Sequence, residues 1–196
     1  MWGVAMRLYL VGHRAPLVVA LLCLSLLGAV VLGATKIPLP WLTSTAEPVV
    51  PFNFIFAMLI LAAIAVFFSN NLSILEERGT RQWRQFDVGF VLIVQVLLGV
   101  FAALGNPGIW QLSAVTLTIY FLLCAFQQPS NAFTATLFIM LLQCLLIVVL
   151  PAKFLPLFWE PSLVRSFVFT FTAVCMFLLV RSSLKLGEAA FVRRVQ

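Results

Sequence analysis

Very few groups in this chain could do chemistry. Among 196 residues there are one histidine, His13, six acidic residues and four cysteines. A lone histidine at the edge of an apolar run reads as an interfacial or packing residue rather than a catalyst. The carboxylates, Glu47, Glu76, Glu77, Asp87, Glu160 and Glu188, all avoid the middle of the apolar runs. Ion-coupled transporters and proton pumps usually keep an ionisable group inside the membrane, so this placement argues against a proton- or sodium-driven pump. Cys23, Cys124, Cys144 and Cys175 lie within apolar runs with no CxxC or Cys/His spacing. They read as small buried hydrophobes, not as disulfides or metal ligands. GxxxxGK[ST], HExxH and GxSxG are all missing, so the sequence predicts no catalytic residue, no metal and no nucleotide bound by the chain itself.

The polar groups left within the apolar runs are uncharged. Gln95 and Gln143 are amides; Ser113, Thr116, Thr118, Tyr120, Thr170 and Thr172 carry hydroxyls. An amide in hydrocarbon needs a partner, so these side chains should face the interior of a helix bundle. Hydrogen bonding between helices is the plainer role. Gln95, Thr116, Gln143 and Thr170 are the candidates for lining a pathway. Small residues form two ridges of four-residue period, Ser25-Ala29-Gly33 and Gln95-Gly99-Ala103. Such ridges let helices approach closely, either within one chain or between two copies.

The elements that carry these residues follow from composition. The chain is 63% hydrophobic and 9% charged, with a mean hydropathy of +1.14. A soluble domain carries about 25% charged residues. The expected fold is therefore an all-α integral membrane protein, a single transmembrane domain over 1–196. A span needs about 20 apolar residues, which leaves room for six. The runs place them at about 16–34, 51–69, 88–105, 109–126, 131–150 and 163–181. Arg7, His13 and Arg14 precede the first run as in a signal peptide, but its length is that of a retained helix. Residues 1–15, with Trp2, Met6 and Tyr9 on one face and Arg7 and Arg14 on another, form an expected interfacial helix. Gly105-Asn106-Pro107-Gly108 and Gln127-Gln128-Pro129-Ser130-Asn131 mark tight turns, and Pro151, Pro156 and Pro161 punctuate the last connection.

Basic residues orient the bundle. Arg7, Arg14, Arg78, Arg81, Arg84, Arg181, Lys185, Arg193 and Arg194 fall on one side, and Lys36, Lys153 and Arg165 on the other. By the positive-inside rule both termini and the 70–87 loop face the cytoplasm. The net charge of +6 is then explained by topology and anionic lipid, with no nucleic-acid partner implied. Trp2, Trp41, Trp83, Trp110 and Trp159 all fall near span ends, where the indole suits the headgroup layer.

The densest charge cluster is Asn70 to Asp87, containing Glu76-Glu77-Arg78-Gly79-Thr80. An interfacial N-terminus, six spans and an acidic–basic run ending in Gly-Thr after the second span together resemble the permease subunits of type-2 ABC exporters. The resemblance covers the chain as architecture and about five residues as motif. The proline-containing segment usual after the Gly-Thr run is replaced by Arg81-Gln82-Trp83-Arg84-Gln85. The resemblance implies a cytoplasmic ABC ATPase partner that binds ATP and docks on Arg7, Glu76, Glu77, Arg78, Gly79, Thr80 and Arg81. It also implies a homodimer or a pairing with a paralogous permease in a bacterial cytoplasmic membrane, exporting an amphipathic or apolar substrate. Pro151 to Pro161 would supply short outer helices. Two other readings stand beside it. One is a substrate-binding subunit of an energy-coupling-factor importer, docking through Ser25, Ala29 and Gly33. The other is a non-transporting assembly or immunity protein.

Overall fold

A computed structural model describes residues 14–33, 35–38, 49–68, 81–146 and 150–195. Six helices make up most of them: α1 (Ala15–Leu32), α2 (Asn53–Phe68), α3 (Arg81–Ala103), α4 (Pro107–Cys124), α5 (Pro129–Leu146) and α6 (Leu163–Val195). Between α1 and α2 a short antiparallel ladder pairs β1 (Lys36–Pro38) with β2 (Val49–Pro51), with Ile37 opposite Val50. Two single 3-10 turns, Ala152–Phe154 and Pro156–Phe158, precede α6.

Local chemistry accounts for the helix ends. Proline stands in the first turn of α1 and α4 and opens α5, where its missing N–H is not needed. At the end of α3, Gly105 adopts φ +110°. Its N–H donates to Ala102 O and the Asn106 N–H donates to Phe101 O, at 3.2 Å each. This paired closure with a left-handed glycine is a Schellman motif. It frees the Asn106 side chain, which does not cap α4, for use elsewhere.

The bundle is inverted relative to a water-soluble one. Ser25, Asn53, Asp87, Gln95, Gln111, Ser113, Thr116, Thr136, Gln143 and Ser166 are buried. Leu24, Leu27, Val31, Ile93, Val96, Phe138, Leu145, Val164, Phe167 and Phe171 are exposed. Large apolar patches on a soluble monomer are rare, whereas hydrocarbon solvates this face and drives the amides inward. The fold is that of a membrane-embedded helical protein. Among the described residues, four helices are long and apolar enough to cross a membrane: α1, α4, α5 and the Leu163–Val180 part of α6.

Two of the six expected spans are shorter. Helix α2 has 16 residues, a length of about 24 Å against about 30 Å of hydrocarbon. The apolar part of α3 is Asp87–Ala103. The expected second span opens at 51, but Pro51 ends β2 and α2 begins two residues later at Asn53. Other boundaries move outward. The polar stretch read as a loop up to Asp87 is helical from Arg81, and α6 continues beyond position 181 to Val195. Neither extension contains a proline, so an established helix propagates through it. The expected interfacial helix over 1–15 lies outside the described residues except at its last two positions, Arg14 and Ala15.

Helix α4 is the hub. It packs against α2, α3, α5 and α6, while α1 packs against α2. The Ser25-Ala29-Gly33 ridge is buried in this monomer, so it serves packing within the chain. In α3 the ridge is used in part: Gln95 is buried and Gly99 lies 3.8 Å, for an added Cβ, from the Trp110 ring, but Ala103 is exposed.

Candidate functional site

The bundle has two chemically different ends. At the first, the chain segments ending α1, beginning α2 and joining α3 to α4 meet through amides. Asn53 Nδ2 donates to Asn106 Oδ1 at 2.8 Å, and Asn106 Nδ2 donates to Ala29 O at 2.9 Å and to Asn53 Oδ1 at 3.3 Å. Each amide is thus donor and acceptor to the other. The pair also gives a second donor to the Ala29 carbonyl, which already accepts the Gly33 N–H at 3.0 Å near the end of α1. Glycine makes the space. An added Cβ on Gly33 would overlap the Ala29 carbonyl and the Asn106 amide, and one on Gly108 would lie 2.9 Å from Asn53 Nδ2.

A third amide works at the same end. Gln111, in the second turn of α4, is buried. Its Oε1 accepts from the Ser162 N–H at 2.7 Å, and its Nε2 donates to Trp159 O at 3.5 Å. These bonds hold the connection before α6 onto α4. Leu155 is buried beneath that connection, and Phe158 packs against the cluster of Val50, Phe54, Ala57, Leu112 and Met140.

Deeper in the bundle a polar chain links three helices. Trp110 Nε1 donates to Thr170 Oγ1 at 3.0 Å, and Thr170 Oγ1 donates to Gln95 Oε1 at 3.1 Å. Thr118 adds a second link from α4 to α6, donating to Phe169 O at 3.0 Å. Gln95 Nε2 and Ser113 Oγ are buried without a hydrogen-bonding partner among the described residues. Of the four residues expected to line a pathway, the structure therefore brings Gln95 and Thr170 together. Thr116 donates to Leu112 O at 2.7 Å, and Gln143 Nε2 donates to Met140 Sδ at 3.3 Å. Both reach back along their own helices. The Trp110 indole, expected in the headgroup layer, is half-buried and directed at Thr170.

The opposite end is aromatic. Phe67 of α2 stacks on Phe90 of α3 with centroids 3.9 Å apart. Phe68 lies 5.1 Å from Phe177 of α6, and Phe121 of α4 is also 5.1 Å from Phe177. Val18 near the start of α1 joins Phe67 in a buried cluster. Asp87 is buried here, at the beginning of the apolar part of α3. Its position at the edge of that stretch agrees with a sequence that keeps carboxylates out of mid-span.

The expected docking residues Arg7, Glu76, Glu77, Arg78, Gly79 and Thr80 lie outside the described residues. Arg81 is the first residue of α3. The amides that organise the bundle, Asn53, Asn106 and Gln111, were not among the expected site residues. Asn106 reads as a turn residue inside Gly-Asn-Pro-Gly, and Asn53 and Gln111 fall at the margins of apolar runs. Their signal was an amide within one or two turns of a span end, in a chain with few polar groups to spare. Among the described residues no group of three or more histidine, cysteine or carboxylate side chains could hold a metal ion.

These features define a class, a membrane-embedded helical bundle held by amides at one end and phenylalanines at the other. Compared with protein-family models, curated proteins and solved structures, the chain matches none.

Proposed function

We propose that this chain is the membrane-spanning permease subunit of an ATP-driven exporter of the ABC type-2 kind. In this reading it spans the bacterial cytoplasmic membrane six times with both termini inside, and α2 and α3 serve as spans despite their shorter apolar lengths. Two copies, or one copy and a paralogue, form the pathway. The observation that carries the proposal lies at the phenylalanine end. There α3 begins with polar residues at Arg81, and α6 runs 15 residues past its apolar part, from Val180 to Val195. The sequence Glu76-Glu77-Arg78-Gly79-Thr80 lies between α2 and α3 along the chain. Such extensions supply polar helical surface on which a soluble motor can dock. The long apolar exterior, and an interior in which the one buried carboxylate among the described residues, Asp87, stands at the edge, suit an amphipathic or apolar substrate.

The test is co-purification from membranes of the native host, followed by an ATP-hydrolysis assay. The wild-type chain should bring down an ATPase carrying Walker motifs. Changing Glu76, Glu77 and Arg78 to alanine should abolish that association, while Lys36→Ala at the opposite end should leave it intact. A chain that never associates with an ATPase, in membranes or in detergent, would sink the proposal.

A further inference from the structure

The connection between α5 and α6 is built with two different faces. Its inner face is anchored by Leu155, by Phe158 and by the two bonds from Gln111. Its outer face and the first turn of α6 carry two cations held against aromatic rings. Lys153 Nζ lies 5.1 Å from the centroid of Phe154, and Arg165 Cζ lies 5.7 Å from the centroid of Trp159. The two pairs are tied together, because Trp159 Nε1 donates to Lys153 O at 2.8 Å. Lys153 and Arg165 are both exposed. Further along α6 toward the middle of the bundle, Phe167, Val168 and Phe171 are exposed, as is Phe154 beside Lys153.

This is an unusual place for positive charge. The sequence puts only Lys36, Lys153 and Arg165 on this side of the bundle, and basic residues are generally kept out of such loops. Two of the three stand on this connection and the first turn of α6, at the height where aromatic rings meet headgroups. A cation above an aromatic face is oriented without being neutralised, so both charges stay available. We propose that the segment from Leu150 to Arg165 is a seat for an anionic phospholipid. The phosphate sits between the Lys153 ammonium and the Arg165 guanidinium, and an acyl chain lies along Val168 and Phe171. Arg165 can offer the phosphate a two-pronged set of donors, while Lys153 acts as a point charge. The exposed carboxylate of Glu160 lies on the same connection and tempers the affinity. The inference needs the membrane embedding and no ATPase, so its failure leaves the exporter reading standing and the reverse also holds.

The test uses the full chain reconstituted in phosphatidylcholine vesicles with or without phosphatidylglycerol, then extracted and weighed by native mass spectrometry with its bound lipid. Wild type should retain phosphatidylglycerol over phosphatidylcholine. Each basic residue near a membrane surface contributes enough that Lys153→Gln or Arg165→Gln should weaken retention by about five-fold. Glu160→Gln should strengthen it. Gln111→Leu, which changes no charge, should also weaken it by loosening the seat from α4. Equal retention of the two lipids, or unchanged retention in the Lys153→Gln/Arg165→Gln double variant, overturns the proposal. So does displacement of the lipid by an equimolar amount of inorganic phosphate, which would make this a phosphate site rather than a lipid seat.

Discussion

The amide end and the phenylalanine end join the same helices by opposite means. At the amide end, Asn53, Asn106 and Ala29 O meet in bonds of 2.8 to 3.3 Å, around glycines that leave no room for a methyl group. At the other end, Phe67, Phe68, Phe90, Phe121 and Phe177 meet by ring contact. In hydrocarbon, apolar packing brings no net hydrophobic gain, since a lipid tail is as apolar as a phenylalanine. Directional bonds therefore select one register, whereas ring contacts tolerate many offset arrangements at similar energy. The difference assigns the ends different mechanics. On this argument the amide end is expected to hold as a pivot and the phenylalanine end to be where helices separate first.

The sharpest way to break this comparison is to fill the pivot. Gly33→Ala places a methyl group against two amides and a carbonyl, so unfolding in detergent should become easier by about 2–3 kcal/mol, the cost of overpacking a tight site. A cost near zero would mean the pivot is soft. Next in size is Asn106→Leu, which strands the Asn53 amide and should cost about 2 kcal/mol. Adding Asn53→Leu should recover part of that loss, because removing both members leaves no orphan polar group. Strict additivity in this double-mutant cycle would deny that the two amides act as a pair. The smallest effect is expected at the other end, where Phe67→Leu keeps volume and loses ring stacking, at about 1 kcal/mol. Hydrogen exchange should nevertheless rise around Phe90 in that variant while staying unchanged around Asn106.

How much of this was legible can be argued from particular residues. Gly105 and Pro107 announced the α3–α4 turn, because a left-handed residue and a fixed φ are local demands. The inward placement of Gln95 and Gln143 followed from the cost of an amide in hydrocarbon, and both are buried. Their partners did not follow. Gln95 meets Thr170, 75 residues away, and Asn53 meets Asn106, 53 residues away. No periodicity along the chain encodes such pairings. The start of α2 falls at Asn53, two residues past the expected 51, because Pro51 pairs with Lys36 in the β1–β2 ladder, and that pairing is not encoded locally.

The sequence by itself determined the solvent of this protein. Its composition leaves too little polar surface for water, and its apolar blocks are sized for a bilayer. The distribution of arginine and lysine supplied an orientation to test, and the missing motifs left no catalytic residue to expect. The tertiary structure alone decided that α4 is the hub, that the Ser25-Ala29-Gly33 ridge is spent inside the chain, and that three uncharged amides pin one end. The reason is physical. Burial in lipid acts on each residue separately and can be read residue by residue, whereas a hydrogen bond needs two groups that only the folded chain brings within 3 Å.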